Sequence, residues 1–354
     1  MKKENKKAVV ASLLSIATIE VFKKIGYVLI IVSAILILFN FIPSKKVTDS
    51  NFLLEKHESS GILIMAEKGG YIQNPANTQK AFDQVIKNSS YTHIVELDVR
   101  TSKDGEIVIF EGETLNSAAL AEDAEPVYVN QTNLVELKNF NLGRNFVNTD
   151  GIKPYETTMS FKSQGLSMLT LKEFLTRYKS SRTSVYYLID VQETGDEGMA
   201  ACDKIVEILA LEEYDTFDKR IILTSENVAI KNYLSEAASK EENKFVVSGS
   251  GDNYTRILVN ALKFGYRQLH TPNYEIVHLS MKEDFALGLK LNVAKKGFIQ
   301  RIEEKNMVVI YTGITTEEEV RALYKIDAHV IASGNPKFVD STIKQIQKEE
   351  KENA

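Results

Sequence analysis

Ile94-Val-Glu-Leu-Asp-Val-Arg100-Thr-Ser-Lys-Asp-Gly105-Glu-Ile-Val-Ile-Phe110 decides the fold. Ile94–Val99 and Ile107–Phe110 have the β-branched, short character of strands, and Ser102-Lys-Asp-Gly105 between them carries turn chemistry. Glu96 and Asp98 stand two residues apart, so both carboxylates leave the same face of the first strand. Working outward, Ile62–Ala66 is a short apolar run that ends in Glu-Lys-Gly-Gly. Residues 78–87 have helical spacing with Phe82, Val85 and Ile86 on one face. Further strands are expected at Val185–Val191, Arg220–Thr224, Phe245–Ser248, Gln268–His270, Met307–Thr312 and Val330–Ala332. Helical patterns separate most of them, as at Ala200–Leu211, Ala229–Ala238 and Thr316–Tyr324. Alternation of this kind over about 280 residues predicts a parallel sheet closed into a (β/α)₈ barrel.

Functional residues of such barrels gather at the C-terminal ends of the strands. Here those ends read Glu67-Lys68, Glu96 with Asp98, Glu111, Asp190 with Gln192, Ser225-Glu226 and Tyr311-Thr312. Two carboxylates facing a barrel interior repel unless a cation lies between them, and Asp190 could complete a set of oxygen ligands. The plainer alternative is a rim of ion pairs with Lys68 and Arg100.

The chain of 354 residues is 44% hydrophobic and 26% charged, a globular balance, and its 18 Gly and 6 Pro exclude collagen-like and low-complexity classes. Charge is unevenly spread. Eight Lys and two Glu up to Lys46 give a local +6, which leaves −11 on the remainder. An acidic body lacks the basic footprint of a nucleic-acid binder. A single cysteine, Cys202, excludes an intramolecular disulfide and a CxxC pair, and it reads as a small buried hydrophobe.

Residues 25–42, Ile-Gly-Tyr-Val-Leu-Ile-Ile-Val-Ser-Ala-Ile-Leu-Ile-Leu-Phe-Asn-Phe-Ile, carry no charge. As a helix they span about 27 Å, close to the hydrocarbon thickness of a bilayer. Pro43 follows in place of a small-residue cleavage site, so an uncleaved transmembrane helix is expected rather than a signal peptide. Lys2, Lys3, Lys6, Lys7, Lys23 and Lys24 outweigh Lys45 and Lys46 across it, placing the N-terminus in the cytoplasm and the body outside the cell membrane. The expected organisation is a basic arm (1–24), the single-pass anchor (25–42), a linker (43–60), a barrel (61–345) with an insertion after the third strand (113–165), and a polar tail (346–354).

The order of motifs from Gly61 to Lys344 resembles the glycerophosphodiester phosphodiesterase family. Its pattern reads A-H-R-G, then P-E-N-T-x-x-A-F, then E-L-D-V-x-x-T-x-D-G-x-x-V-x-x-H-D. The chain offers Ala66-Glu-Lys-Gly69, Pro75-Ala-Asn-Thr78 with Ala81-Phe82, and Glu96-Leu-Asp-Val99 through Gly105 to Phe110-Glu-Gly112. Further matches are Asn133-Leu-Val-Glu-Leu-Lys138, Leu169–Leu175, Ile189-Asp-Val-Gln192, Val309-Ile-Tyr-Thr312 and Ala332-Ser-Gly-Asn-Pro336. The resemblance implies a TIM-type barrel with a small insertion, and a divalent cation such as Ca²⁺ or Mg²⁺ held by Glu96, Asp98 and Asp190. It places Glu67 and Glu111 where the family has its two catalytic histidines, and Lys68, Gln192 and Tyr311 where a substrate would be met. Lys68 stands for arginine, Ala76 for glutamate, Gly112 for aspartate, Asp190 for glutamate and Gln192 for lysine. None of His57, His93, His270, His278 and His329 falls on a motif position.

Both proton-transfer groups of the family are thus absent, and each is typically worth 10²–10⁴-fold in rate. A glutamate near its ordinary pKa serves as a base at neutral pH but poorly as an acid. Several carboxylates also oppose an anionic substrate, each unscreened pair by roughly 3 kcal/mol at about 6 Å and an effective dielectric of about 20. Three functions follow. The favoured one is a membrane-anchored, catalytically degenerate barrel that binds a cation and a glycerophosphodiester-like or cell-envelope ligand. The second is a metal-dependent phosphodiesterase on glycerophosphodiesters or glycerol-phosphate polymers, with altered acid–base groups. The third is a sugar hydrolase using Glu67 and Glu111 as a carboxylate pair.

Overall fold

The computed structural model of the chain describes residues 20–35, 38, 46–87, 89–181, 184–240, 245–249, 274–285 and 289–353. The strands are β1 (Leu63–Ala66), β2 (Ile94–Thr101), β3 (Ile107–Ile109), β4 (Tyr186–Val191), β5 (Ile221–Thr224), β6 (Phe245–Gly249), β7 (Ile276–Leu279), β8 (Lys282–Phe285), β9 (Leu289–Asn292), β10 (Val308–Tyr311) and β11 (Val330–Ser333). The main sheet runs β1-β11-β10-β7-β6-β5-β4-β2-β3, and β1 also pairs with β2. Eight parallel strands therefore close on themselves, while β3 hangs antiparallel on the end of β2. The expected third strand is thus a hairpin arm and not a stave. The stave β7 is not among the expected strands; the expected strand Gln268–His270 lies outside the described residues. A second hairpin, β8–β9, follows β7.

Alternation along each stave sorts side chains into a barrel interior and an outer layer under the helices. Inward residues build the interior core: Leu63, Met65, Ile94, Leu188, Ile222, Ile276, Val308, Ile310, Val330 and Ala332. Strand pairing stacks these in tiers of four from alternate strands. Ile94, Ile222, Ile276 and Val330 share one tier; Met65, Leu188, Ser248 and Ile310 share the next. Above them the interior turns polar, beginning with Glu96. Outward residues such as Val95, Leu97, Tyr187, Ile189 and Leu223 pack with Phe174, Ile205 and Ile230 of the surrounding helices.

Local chemistry fixes the helices in place. Thr170 and Thr316 start theirs with capping boxes to Glu173 and Glu319. The helix Phe52–Ser60 precedes β1, and its Leu53 joins the interior core, closing the N-terminal end. Its cap, Asn51, accepts from Leu53 and Leu54 N–H and donates to the carbonyls of Glu275 (2.9 Å) and Asn306 (3.1 Å). At this same end Ile64 N–H donates to His93 Nδ1 (3.1 Å) and Val309 N–H to His329 Nδ1 (3.1 Å), a structural use for both histidines. Cys202 is fully buried in the helix Gly195–Leu209, and burial pushes its thiol up to about 12.

The insertion after β3 is largely irregular and has a small core of its own, in which Leu115, Val129, Leu137 and Leu142 gather around Val108 and Phe110. Residues 20–35 form a helix in a separate compact unit. The expected span 25–42 lies partly outside the described residues. Among those described, no helix is long and apolar enough to cross a membrane.

Candidate functional site

At the C-terminal end of β1 the chain turns at once. Lys68 adopts a left-handed backbone (φ 50°), followed by Gly69 (φ 76°) and Gly70 (φ 89°). A Cβ on Gly69 would lie 2.9 Å from Phe82 Cδ1, so the Glu-Lys-Gly-Gly sequence is required by the tightness of this turn. The turn folds Glu67 into the barrel mouth, where its Oε1 accepts from Gly313 N–H (2.8 Å) beyond β10. Burial raises the proton affinity of Glu67; the amides of Gly313 and Gly334 and the charge of Lys68 only partly oppose this.

Glu96 and Asp98 point inward from β2, and Asp190 from β4. Ligand atoms of the three lie within 4.8 Å of one another. Asp98 is held most firmly. Asn77 Nδ2 donates to its Oδ2 (2.7 Å), Asp98 N–H donates back to Asn77 Oδ1 (3.2 Å), and Gln192 Nε2 reaches its Oδ1 (3.3 Å). Asn77 takes a left-handed conformation (φ 58°), which asparagine tolerates better than most residues. Glu96 Oε2 accepts from Lys68 N–H (3.3 Å). Asp190 Oδ1 is buried without a hydrogen-bond partner.

Crowding and burial show in the titration of all three. Burial first, then the charges of Asp98, Glu67 and Asp190, lift Glu96 well above the usual carboxylate range. Burial lifts Asp98 too, against the hydrogen bond from Asn77 and the charge of Lys68. Asp190 is pushed up to about 8 by burial and by Asp98 and Glu226. An unsatisfied carboxylate oxygen beside two acids that resist ionising fits a hard cation, and an all-oxygen donor set suits Ca²⁺, Mg²⁺ or Mn²⁺ better than zinc.

The remaining expected residues separate. Lys68 Nζ pairs with Glu111 Oε1 at 2.6 Å, across the rim. Burial lowers the Lys68 pKa, but the hydrogen bond it donates to Glu111 and the charges of Asp98, Glu111 and Glu96 more than reverse this. Arg100 does not pair with the acidic cluster: its Nε donates to the Glu111 carbonyl (2.7 Å), and its side chain approaches Glu193. Gln192 sits in the site on Asp98. Tyr311 has the outward parity of β10, is fully buried, and donates its hydroxyl to the Val293 carbonyl (3.0 Å). Asn77 escaped the sequence reading as a site residue although it sits inside the quoted Pro-Ala-Asn-Thr motif. Its role is visible only once the β1 loop brings it over β2.

Residues 68–337 match the model of the glycerophosphoryl diester phosphodiesterase family. None of the curated proteins matches the chain. Among solved structures, the glycerophosphoryl diester phosphodiesterase domain of an uncharacterized Mycobacterium tuberculosis protein superposes with a TM-score of 0.62 at 18% identity, covering 81% of this chain and 100% of that one. A glycerophosphodiester phosphodiesterase from Agrobacterium tumefaciens gives 0.56 at 16% identity, over 79% of this chain and 99% of that one. A phosphodiesterase from Oleispira antarctica, solved in complex with the product sn-glycerol-3-phosphate, gives 0.57 at 16% identity over 81% and 98%. At such identities the structures speak for the barrel alone, while the family model spans most of the chain. The chain belongs to the glycerophosphoryl diester phosphodiesterase family.

Proposed function

We propose that this chain is a membrane-anchored, extracytoplasmic member of its family that binds a divalent cation and a glycerophosphodiester-like or cell-envelope ligand, and that it has lost most or all turnover. The observation that carries the loss is the Lys68–Glu111 pair at 2.6 Å. The residue at the second histidine position is thereby committed to neutralising the cation that would greet a phosphate. Glu67, at the first, is committed to Gly313 N–H. Glu96, Asp98 and Asp190 would hold the cation, whose bound charge draws in anionic oxygens. Asn77 and Gln192 orient Asp98, and Lys68 N–H orients Glu96.

The test is hydrolysis of glycerophosphocholine and of glycerol-phosphate polymer by the purified full chain with Mg²⁺, Ca²⁺ and Mn²⁺, with Glu96→Ala as the blank. Binding without measurable hydrolysis is expected. Rates within tenfold of an ordinary family member, abolished in the blank, would overturn the degenerate reading and leave the second one. That second reading, an active phosphodiesterase using altered acid–base groups, is favoured by the raised proton affinity of Glu67, which lets it carry a proton nearer neutral pH.

Anchoring is supported by the lysine asymmetry around residues 25–42 and by the helix at 20–35, which leaves Phe22, Tyr27 and Ile30 each about two-thirds exposed. Protease added to intact cells should remove the barrel and leave an N-terminal stub; cleavage only after lysis would reverse the orientation.

A further inference from the structure

We propose that His278, on the wall opposite the carboxylates, recognises a hydroxyl of the ligand. The proposal rests on the reading of the mouth as a site for a cation with a polyol phosphodiester. His278 alternates with Ile276 on β7, and Ile276 belongs to the interior core, so His278 also faces inward. Strand pairing puts His278 in the first polar tier, together with Glu96, Thr224 and Ala332. β2 and β7 are four strands apart in either direction round the barrel, so Glu96 and His278 confront each other across it.

The tier leaves His278 the part to play. Thr224 has committed its hydroxyl to the Ser248 carbonyl (3.1 Å), and Ala332 contributes only a methyl. His278 is half-buried, as are Glu96 and Asp190. Its Nε2 is buried with no hydrogen-bond partner, an arrangement that is costly unless something else supplies one. Burial, and then the positive charge of Lys231 on the helix Val228–Ala238, push the imidazole down to about 4. It is therefore neutral at physiological pH, with one ring nitrogen to donate and one to accept. That suits a hydroxyl better than a second anion. The interior of an eight-stranded barrel is about as wide as facing side chains or one small ligand. A ligand whose phosphodiester sits at the carboxylate-held cation therefore reaches the opposite wall with its glycerol arm.

The test is calorimetric titration of the full chain with Mg²⁺ and two monoanionic diesters, glycerophosphoglycerol and diethyl phosphate, which differ in their hydroxyls. The wild type should prefer glycerophosphoglycerol. His278→Ala should lose roughly tenfold of that affinity while diethyl phosphate and the Mg²⁺-dependent rise in Tm stay unchanged. His278→Gln, which keeps an uncharged donor and acceptor, should recover most of the loss; this variant separates recognition from damage to the fold. If the alanine variant keeps the full preference, or weakens both diesters equally, the assignment of His278 falls while the site reading stands. If the wild type binds neither diester, both fall.

Discussion

Asp98 and Asp190 are register partners on the neighbouring parallel strands β2 and β4. The sheet fixes their backbone positions side by side, and both side chains face the barrel interior, where their ligand atoms lie within 4.8 Å of one another. Glu96 sits one inward position below on the same strand. We therefore expect a cation to stabilise the fold: at about 100 times its Kd a ligand specific to the native state contributes about 2.7 kcal/mol. Thermal unfolding of the full chain in EDTA and in millimolar Mg²⁺ or Ca²⁺ checks this. Asp98→Asn should abolish the difference. A Tm indifferent to cation in the wild type would mean that the three acids are satisfied by protons alone.

Restoring the family's proton-transfer groups should restore chemistry. The double variant Glu67→His with Glu111→His also frees Lys68 to meet a phosphate. Hydrolysis of glycerophosphocholine should rise by about 10² or more over the parent if the cation shell is intact. No gain, with cation-dependent stabilisation retained, would place the defect in the shell or at Gln192 instead.

Glu275 gives a pH dependence unrelated to the mouth. It lies under the barrel near Asn51, and burial pushes its pKa up to about 7 from an ordinary 4.5. A carboxyl raised in the folded state stabilises fully below the unfolded value, and that contribution is lost as pH climbs through about 7. Tm should fall between about pH 4.5 and pH 7. Glu275→Gln should flatten this slope and exceed the parent by about 2 kcal/mol at pH 8, allowing for partial exposure. Parallel Tm curves for the two proteins would show that Glu275 is well solvated.

Asn51 couples the first helix to the barrel floor through two donated and two accepted bonds. Asn51→Ala removes the cap and strands two carbonyls, at a cost of about 1–3 kcal/mol in urea unfolding. Asn51→Asp keeps the cap acceptor but not the donated bonds, so it should fall between. If aspartate equals the wild type, the ties to Glu275 and Asn306 contribute nothing.

The staves that carry the acids were legible in the sequence because two periodicities coincide there: β-branched residues outward, carboxylates inward. β7 was not, since Ile276-Val-His-Leu279 is only four residues long and turns a histidine toward the interior, which dilutes the apolar signal. β8 opens with three consecutive charged residues, Lys282-Glu-Asp, and so carries no apolar run. The Glu67–Gly313 bond and the Lys68–Glu111 pair join residues brought together only when β1, β3 and β10 assemble, so no local pattern could announce them. Asn77 was visible as a letter in a motif; its reciprocal bonds to Asp98 were not.

The change from aliphatic to polar tiers, between Ile310 and Glu96, divides the labour of the barrel by height. Everything below is tied to folding, through burial of Leu, Ile and Val on eight staves. Everything above is free to be rewritten, because a side chain there touches water, loop or ligand and contributes little to closure. A lineage can exchange histidine for glutamate in the upper storey, change what the mouth holds, or abandon catalysis, without endangering the foundation. Glu67 and Glu111, at the histidine positions, both lie at the mouth, above the aliphatic tiers, so an exchange there leaves the foundation of the barrel untouched.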